Sequence, residues 1–156
     1  MAVPFIAFFF TMPLHLIKLC VGCDDVESLQ DWQRRRLAQS KKKPGKKVFL
    51  THRTRAMPKR REEIVGEGSL YWIIKGIVQV RQPILDLVPV MDKDGTPMCE
   101  IRMAPRLIRT ELVLHRAFQG WRYLEAADAP ADLPKGVKGN LPPPEMAAEL
   151  RALGLL

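Results

Sequence analysis

Between Arg34 and Arg61 the chain carries 13 Lys and Arg and no Asp or Glu, whereas the other 128 residues carry 12 basic against 17 acidic side chains. The net charge of +8 is thus the property of one segment, and a local positive field of that kind draws phosphate-bearing partners or an anionic surface. In THRTRAMPKRR, residues 51–61, Arg53 and Arg55 are spaced to project to one face of an extended strand. Pro58 then opens a turn whose free amides, with Lys59 and Arg60, suit an anion. Directly after it, SLYWIIK alternates Leu70, Trp72 and Ile74 on one face with Ser69, Tyr71, Ile73 and Lys75 on the other. The first face reads as core. The second offers the Tyr71 ring for stacking on a base and the Lys75 ammonium for a phosphate. In FQGWRYL, Gly120 permits a tight turn that gathers Gln119, Trp121 and Arg122. An amide can read a base edge, an indole can stack on it and a guanidinium can hold phosphate with two parallel bonds. Competing readings stand beside these. A charge run is commonly a solvated face, and Trp121 and Tyr123 taken singly are more often core anchors.

Other chemistry is weakly represented. There is no Gly-rich phosphate loop, HExxH, Gly-x-Ser-x-Gly elbow or cluster of metal-binding carboxylates. A loose hydrolytic set remains, with Lys59 or Lys75 as base or nucleophile beside Thr51 and Glu62 or Glu67 as proton carrier. The basic stretch also fits a protein-interaction module that engages an acidic partner. Three cysteines give no disulfide framework and fit a reducing cytoplasm. The CVGC pair, Cys20 and Cys23, stands at a predicted strand-to-helix junction, where a redox pair would gain from the helix N-terminus. Asp24 and Asp25 oppose thiolate formation there. A zinc site would need His15, His52 and Cys99 brought alongside, so the favoured reading is buried structural thiols, with no metal and no cofactor.

These residues must be positioned by a small set of elements. At 156 residues and 47% hydrophobic content the chain is about one domain. Leu14 to Val21 reads as a buried first strand. DDVESLQDWQRRRLAQ opens with Asp-x-x-Glu capping from Asp24, and Val26, Leu29, Trp32 or Gln33, and Leu37 recur at helical spacing. Arg34, Arg35 and Arg36 then fall in the last two turns, where cations suit the helix dipole. KKKPGKK breaks the helix, Val48 to Arg53 restarts in β-type residues, and PKRREEIV forms a helical turn ended by Gly66 and Gly68. About six strands are expected, with Gly76 separating SLYWIIK from IVQVRQPILDLVPV, and KDGT turning MCEIRM back antiparallel to the latter. The pattern is α+β with a mixed or barrel-like sheet and one long N-terminal helix. The domain is expected over residues 12–133, followed by a linker and short C-terminal helix over 134–156. The apolar run before Met12 is a poor signal peptide and is proline-broken. It is read as an extension from an upstream start rather than part of the fold, and no stable membrane insertion is expected.

The phrases MPLHLIKLCVG, HRTRAMPKR, GSLYWIIKG and FQGWRYL, in this order and spacing, resemble an alphaproteobacterial domain-of-unknown-function family (DUF1489-like). That resemblance implies no activity. A fold-level resemblance, resting on element order and on the basic Arg-x-x-Pro-Lys turn before a Gly-initiated strand, is to PUA-like, ASCH-like and EVE-like domains. It implies a pseudobarrel and binding of RNA or a modified nucleotide, or an ASCH-like hydrolase acting on a modified nucleoside.

Overall fold

The computed structural model describes residues 12–40, 49–137 and 153. The extension 1–11, the KKKPGKK loop and most of the segment 134–156 lie outside the described residues. Strand β1 is His15–Leu19, helix α1 Val26–Ser40, β2 Leu50–Thr54, the one-turn helix α2 Arg61–Ile64, and β3 Ser69–Ile74. Strands β4 Ile77–Met91, β5 Pro97–Met103, β6 Ile108–Leu114 and β7 Trp121–Leu124 complete the sheet. The α+β class is as the sequence suggests, with FQGWRYL supplying a seventh strand.

The sheet is mostly antiparallel and runs in the order β2-β5-β4-β3-β1-β7, with β1 parallel to β3 and β6 paired to β4. This path is open and its outer strands, β2 and β7, share no ladder, so the expected pseudobarrel is not what the strand pairing describes. The segment after β2 bridges the two ends: Trp121 Nε1 donates to Ala56 O at 2.7 Å, and the Arg60 amide donates to the Tyr123 hydroxyl at 3.2 Å. Turn chemistry sets the registers. Lys75 and Gly76 both have positive φ, the two-residue geometry that matches strand twist, and Ile74 pairs with Ile77 across it. The Asp92–Thr96 turn holds Gly95 at φ 79 and lets Met91 pair with Pro97, as KDGT predicts. β4 is long enough to serve two partners in succession, Ile77–Arg81 against β6 and Ile84–Met91 against β5.

Alternation divides the sheet into two apolar faces. Leu70, Trp72 and Ile74 join Leu16, Val80, Leu87 and Ile101 in the main core, while Ile17, Tyr71, Ile73 and Val78 form a smaller cluster with Phe118 and Leu124 packed on it. Helix α1 closes the main core through Val26 and Leu29, and through Gln33, which is the residue buried where the periodicity allowed Trp32 or Gln33. Its cap is Asp25 rather than Asp24: Asp25 Oδ1 accepts from the Ser28 amide at 2.7 Å and from its hydroxyl at 2.6 Å. The helix is 15 residues long and follows the first strand instead of opening the fold. Arg34–Arg36 fall in the last two turns as expected, but the last turn itself carries no basic residue, so they stand one turn short of the negative end of the dipole.

Gly68 locks three elements together. Its amide donates to Ile64 O at 2.7 Å and its carbonyl accepts from the Ile84 amide at 2.9 Å. A Cβ at this position would collide with Leu14 O and lie 2.7 Å from Ile64 O, both backbone atoms that cannot swing aside as the end of a flexible side chain could. Gly68→Ala should therefore destabilise by about 3 kcal/mol or more. The check is a lowered urea midpoint at constant m. A parent-like midpoint would show that this three-way approach is not as tight as described.

Candidate ligand cavity

A cavity of about 370 Å³ lies between α1 and the main-core face of the sheet. The CVGC turn forms one wall, Trp32, Gln33 and Arg35 of α1 another, and His52 of β2 with Trp72 of β3 the floor. This size falls within the roughly 300–1,000 Å³ of small-molecule sites, and the apolar walls with a few convergent polar groups match their usual make-up. The helix wall is fixed by an amide pair. Gln33 Nε2 donates to Gln82 Oε1 at 2.8 Å and Gln82 Nε2 donates to Gln33 Oε1 at 3.1 Å, while Trp72 Nε1 donates to Gln82 Oε1 at 3.1 Å. Those bonds hold Trp72 and α1 in one arrangement. They leave Trp32, 46% exposed, at the rim with the Arg36 guanidinium 4.7 Å from its ring centroid.

Electrostatically the cavity is cationic and lacks a lining carboxylate. His52 packs edge-on against Trp72, 5.5 Å between ring centroids, and its Nε2 is buried with no hydrogen-bond partner among the described residues. Burial, followed by the charges of Lys18 and Arg36, pushes its pKa down to about 4, so the imidazole is neutral at pH 7. Lys18 occupies an inward register position, opposite Trp72 on β3 and Trp121 on β7. Burial lowers its ammonium below the ordinary lysine range. A neutral imidazole nitrogen without a partner, flanked by cations and indoles, can accept or donate one hydrogen bond to a planar anionic ligand.

The residues singled out by sequence do not form one site. Tyr71 is 4% exposed, in the smaller cluster, with His15 edge-on at 5.1 Å; the chain covering that face removes it as a stacking surface. Arg60 is held by Glu63 at 2.7 Å and by Glu125 at 3.2 Å, which satisfies the guanidinium within the fold. Arg53 lies 3.9 Å from Glu100, and Lys75 lies 3.2 Å from Asp24 at the β3–β4 turn. Trp121 is half-buried and anchored by its bond to Ala56, so it serves the bridge between the sheet ends. Gln119 is exposed, and the Arg122 guanidinium sits over the Phe118 ring at 4.2 Å. Arg55 and Lys59 are exposed, and Lys59 borders a shallow cleft with Glu62. For the hydrolytic set, Thr51 on β2 is separated from the β3 end bearing Lys75 by β5 and β4 in the sheet order.

Cys20 and Cys23 are joined as a disulfide, correcting their reading as buried thiols, and Cys99 alone is free and buried. Among the described residues no three His, Cys, Asp or Glu side chains gather to hold a metal, and no helix is long and apolar enough to cross a membrane. Sequence reasoning missed Trp32, Gln33 and His52 as cavity groups, and Lys18 as the cation acting on His52. Two signals were present: a tryptophan beside the buried stripe of an amphipathic helix, and a lysine in phase with Leu14, Leu16 and Cys20.

The His52 environment gives a pH dependence. Its imidazole protonates near 6.5 when unfolded and at about 4 when folded, so the unfolded chain binds more protons between those values. Stability should therefore rise with pH across that window and fall as the solution is acidified through it. At roughly 1.4 kcal/mol per pH unit, the ceiling is on the order of 3 kcal/mol. Burial lowers His15 as well, adding in the same sense. Chemical denaturation of His52→Gln from pH 7 to 4 should show a flatter profile than the parent. An unchanged slope would contradict a neutral buried His52.

Comparison with curated proteins and with solved structures found no match. One family model does match, over residues 16–156, and is described as a protein of unknown function (DUF1489). Since this span is most of the chain, the protein belongs to the DUF1489 family.

Proposed function

We propose that the protein binds a nucleotide in the cytoplasm, free or at the end of a single-stranded RNA, with its base in the cavity between α1 and the sheet. The observation that carries this reading is the cavity itself: about 370 Å³, with Trp32, Trp72 and His52 among its lining residues and no acidic side chain there. A planar heteroaromatic base uses all of these features. One apolar face meets the exposed Trp32 indole, worth about 1–3 kcal/mol, and the base's edge turns toward His52 and the buried Trp72. Phosphate then falls to Arg35 and Arg36, the helical limb of the acid-free segment. In this reading His52 to Arg55 form its second limb, and the exposed Arg53, Arg55 and Lys59 extend the positive track for RNA beyond the first nucleotide.

Isothermal titration with mononucleotides and with a short single-stranded RNA separates the contributions. Trp32→Ala should weaken mononucleotide binding by about fivefold to a hundredfold with little change in its salt dependence. Arg35→Ala with Arg36→Ala should reduce that salt dependence. Arg53→Ala, Arg55→Ala, Lys59→Ala together should weaken RNA and leave mononucleotides unaffected. Absence of binding by either ligand at low salt would discard the reading. If RNA affinity were lost in the triple variant and kept in Trp32→Ala, the exposed basic rim would be the site.

A further inference from the structure

The CVGC turn is the one motif that ligand binding leaves unexplained. It stands between two clefts: the cavity on its α1 side and a more open cleft of about 480 Å³ bordered by Lys75, Gly76, His115 and Ala117. Between the sulfurs, Val21 is 83% exposed, and a Cβ on Gly22, at φ 78, would meet nothing within 4 Å. A disulfide buried in a core serves only to constrain; this one closes a four-residue turn whose residues line both clefts. The two sulfurs also differ. Cys20 is buried in the main core, while Cys23 is half-buried and leads into the α1 cap at Asp25.

We propose that Cys20–Cys23 is a reversible dithiol–disulfide pair that exchanges electrons with an external dithiol through Cys23 Sγ. A thiolate of the reductant attacks Cys23 Sγ, the Cys20–Cys23 bond breaks, and its electron pair leaves on Cys20 Sγ. The reductant's second thiolate then attacks its own sulfur in the mixed disulfide and expels Cys23 as thiolate. Each released thiolate takes one proton. Two electrons and two protons reach the pair, and the dithiol becomes a disulfide. Access favours attack at Cys23, which is half-buried beside two clefts, over Cys20, which is buried in the main core. Cys99, fully buried, is an internal control whose thiol burial pushes up to about 11.

Native full-length protein, purified in air, should add no iodoacetamide at Cys20 or Cys23. After excess dithiothreitol under native conditions both should be alkylated by mass spectrometry, Cys99 should not, and the melt should stay cooperative. Oxidised glutathione should restore the bond. In Cys20→Ser, Cys23 should form a mixed disulfide with glutathione roughly tenfold or more faster than Cys20 does in Cys23→Ser. The wild-type arm stands even where a variant fails to fold. Free thiols in the air-purified protein, a bond that resists dithiothreitol until the chain unfolds, or faster reaction at Cys20 would each overturn the proposal. None of these readouts involves nucleotide, so its outcome is independent of ligand binding.

Discussion

The Gln82 side chain, fully buried at the centre of the sheet, fixes the rest of the arrangement. Its carboxamide has two donors and two acceptor positions, and all are used: Nε2 donates to Gln33 Oε1 and to Ala104 O, and Oε1 accepts from Gln33 Nε2 and Trp72 Nε1. One side chain on β4 thereby ties together α1, β3 and the chain between β5 and β6. A satisfied network of this kind adds only about 1 kcal/mol per bond, but its loss is asymmetric, because each stranded buried partner costs about 1–3 kcal/mol. An apolar residue at position 82 would leave both Gln33 and the Trp72 indole short of partners. The network therefore specifies where α1 sits more than it strengthens the core. That placement brings Trp32 to the rim of a cavity instead of into its interior.

The distribution of positive charge follows from the same placement. Arg60 and Arg61 are absorbed by the fold, the first by Glu63 and Glu125 and the second by Asp86 and the Leu87 carbonyl. The α1 arginines are different. In the penultimate turn, Arg35 lines the cavity and Arg36 lies over Trp32. On this account the acid-free segment is one chain stretch with two roles, an Arg60–Arg61 anchor that fastens the bridge near β7 and a cationic surround for His52. Burial first, then the charges of Lys18 and Arg36, keep His52 neutral, so anion attraction and a neutral imidazole coexist in one site.

Local patterns made most of the elements legible. Alternation assigned Leu70, Trp72 and Ile74 to the core, and the turn residues of KDGT and Lys75–Gly76 set two hairpins. What was hidden depended on contacts distant in sequence. Tyr71 faces away from the main core, as expected, but whether that face is open is decided by Phe118 and Leu124, nearly fifty residues later. A 3.6-residue period admits Trp32 or Gln33 equally, and the choice is made by Gln82. The proximity of Cys20 and Cys23 is legible in CVGC, whereas their bonding is a matter of the turn's geometry. The cavity was the least legible feature, because no single segment builds it.

The three tryptophans provide the most direct test, since each holds a different place: Trp32 at the rim, Trp72 in the floor, Trp121 on the bridge between the sheet ends. Their indole N–H signals in a ¹H–¹⁵N spectrum, assigned by single substitution, can be followed while a mononucleotide is added. The account predicts that the Trp32 and Trp72 signals shift together and saturate at the same concentration while Trp121 stays in place. A shift confined to Trp121, with Trp32 and Trp72 unmoved, would contradict it and return the binding site to the basic rim.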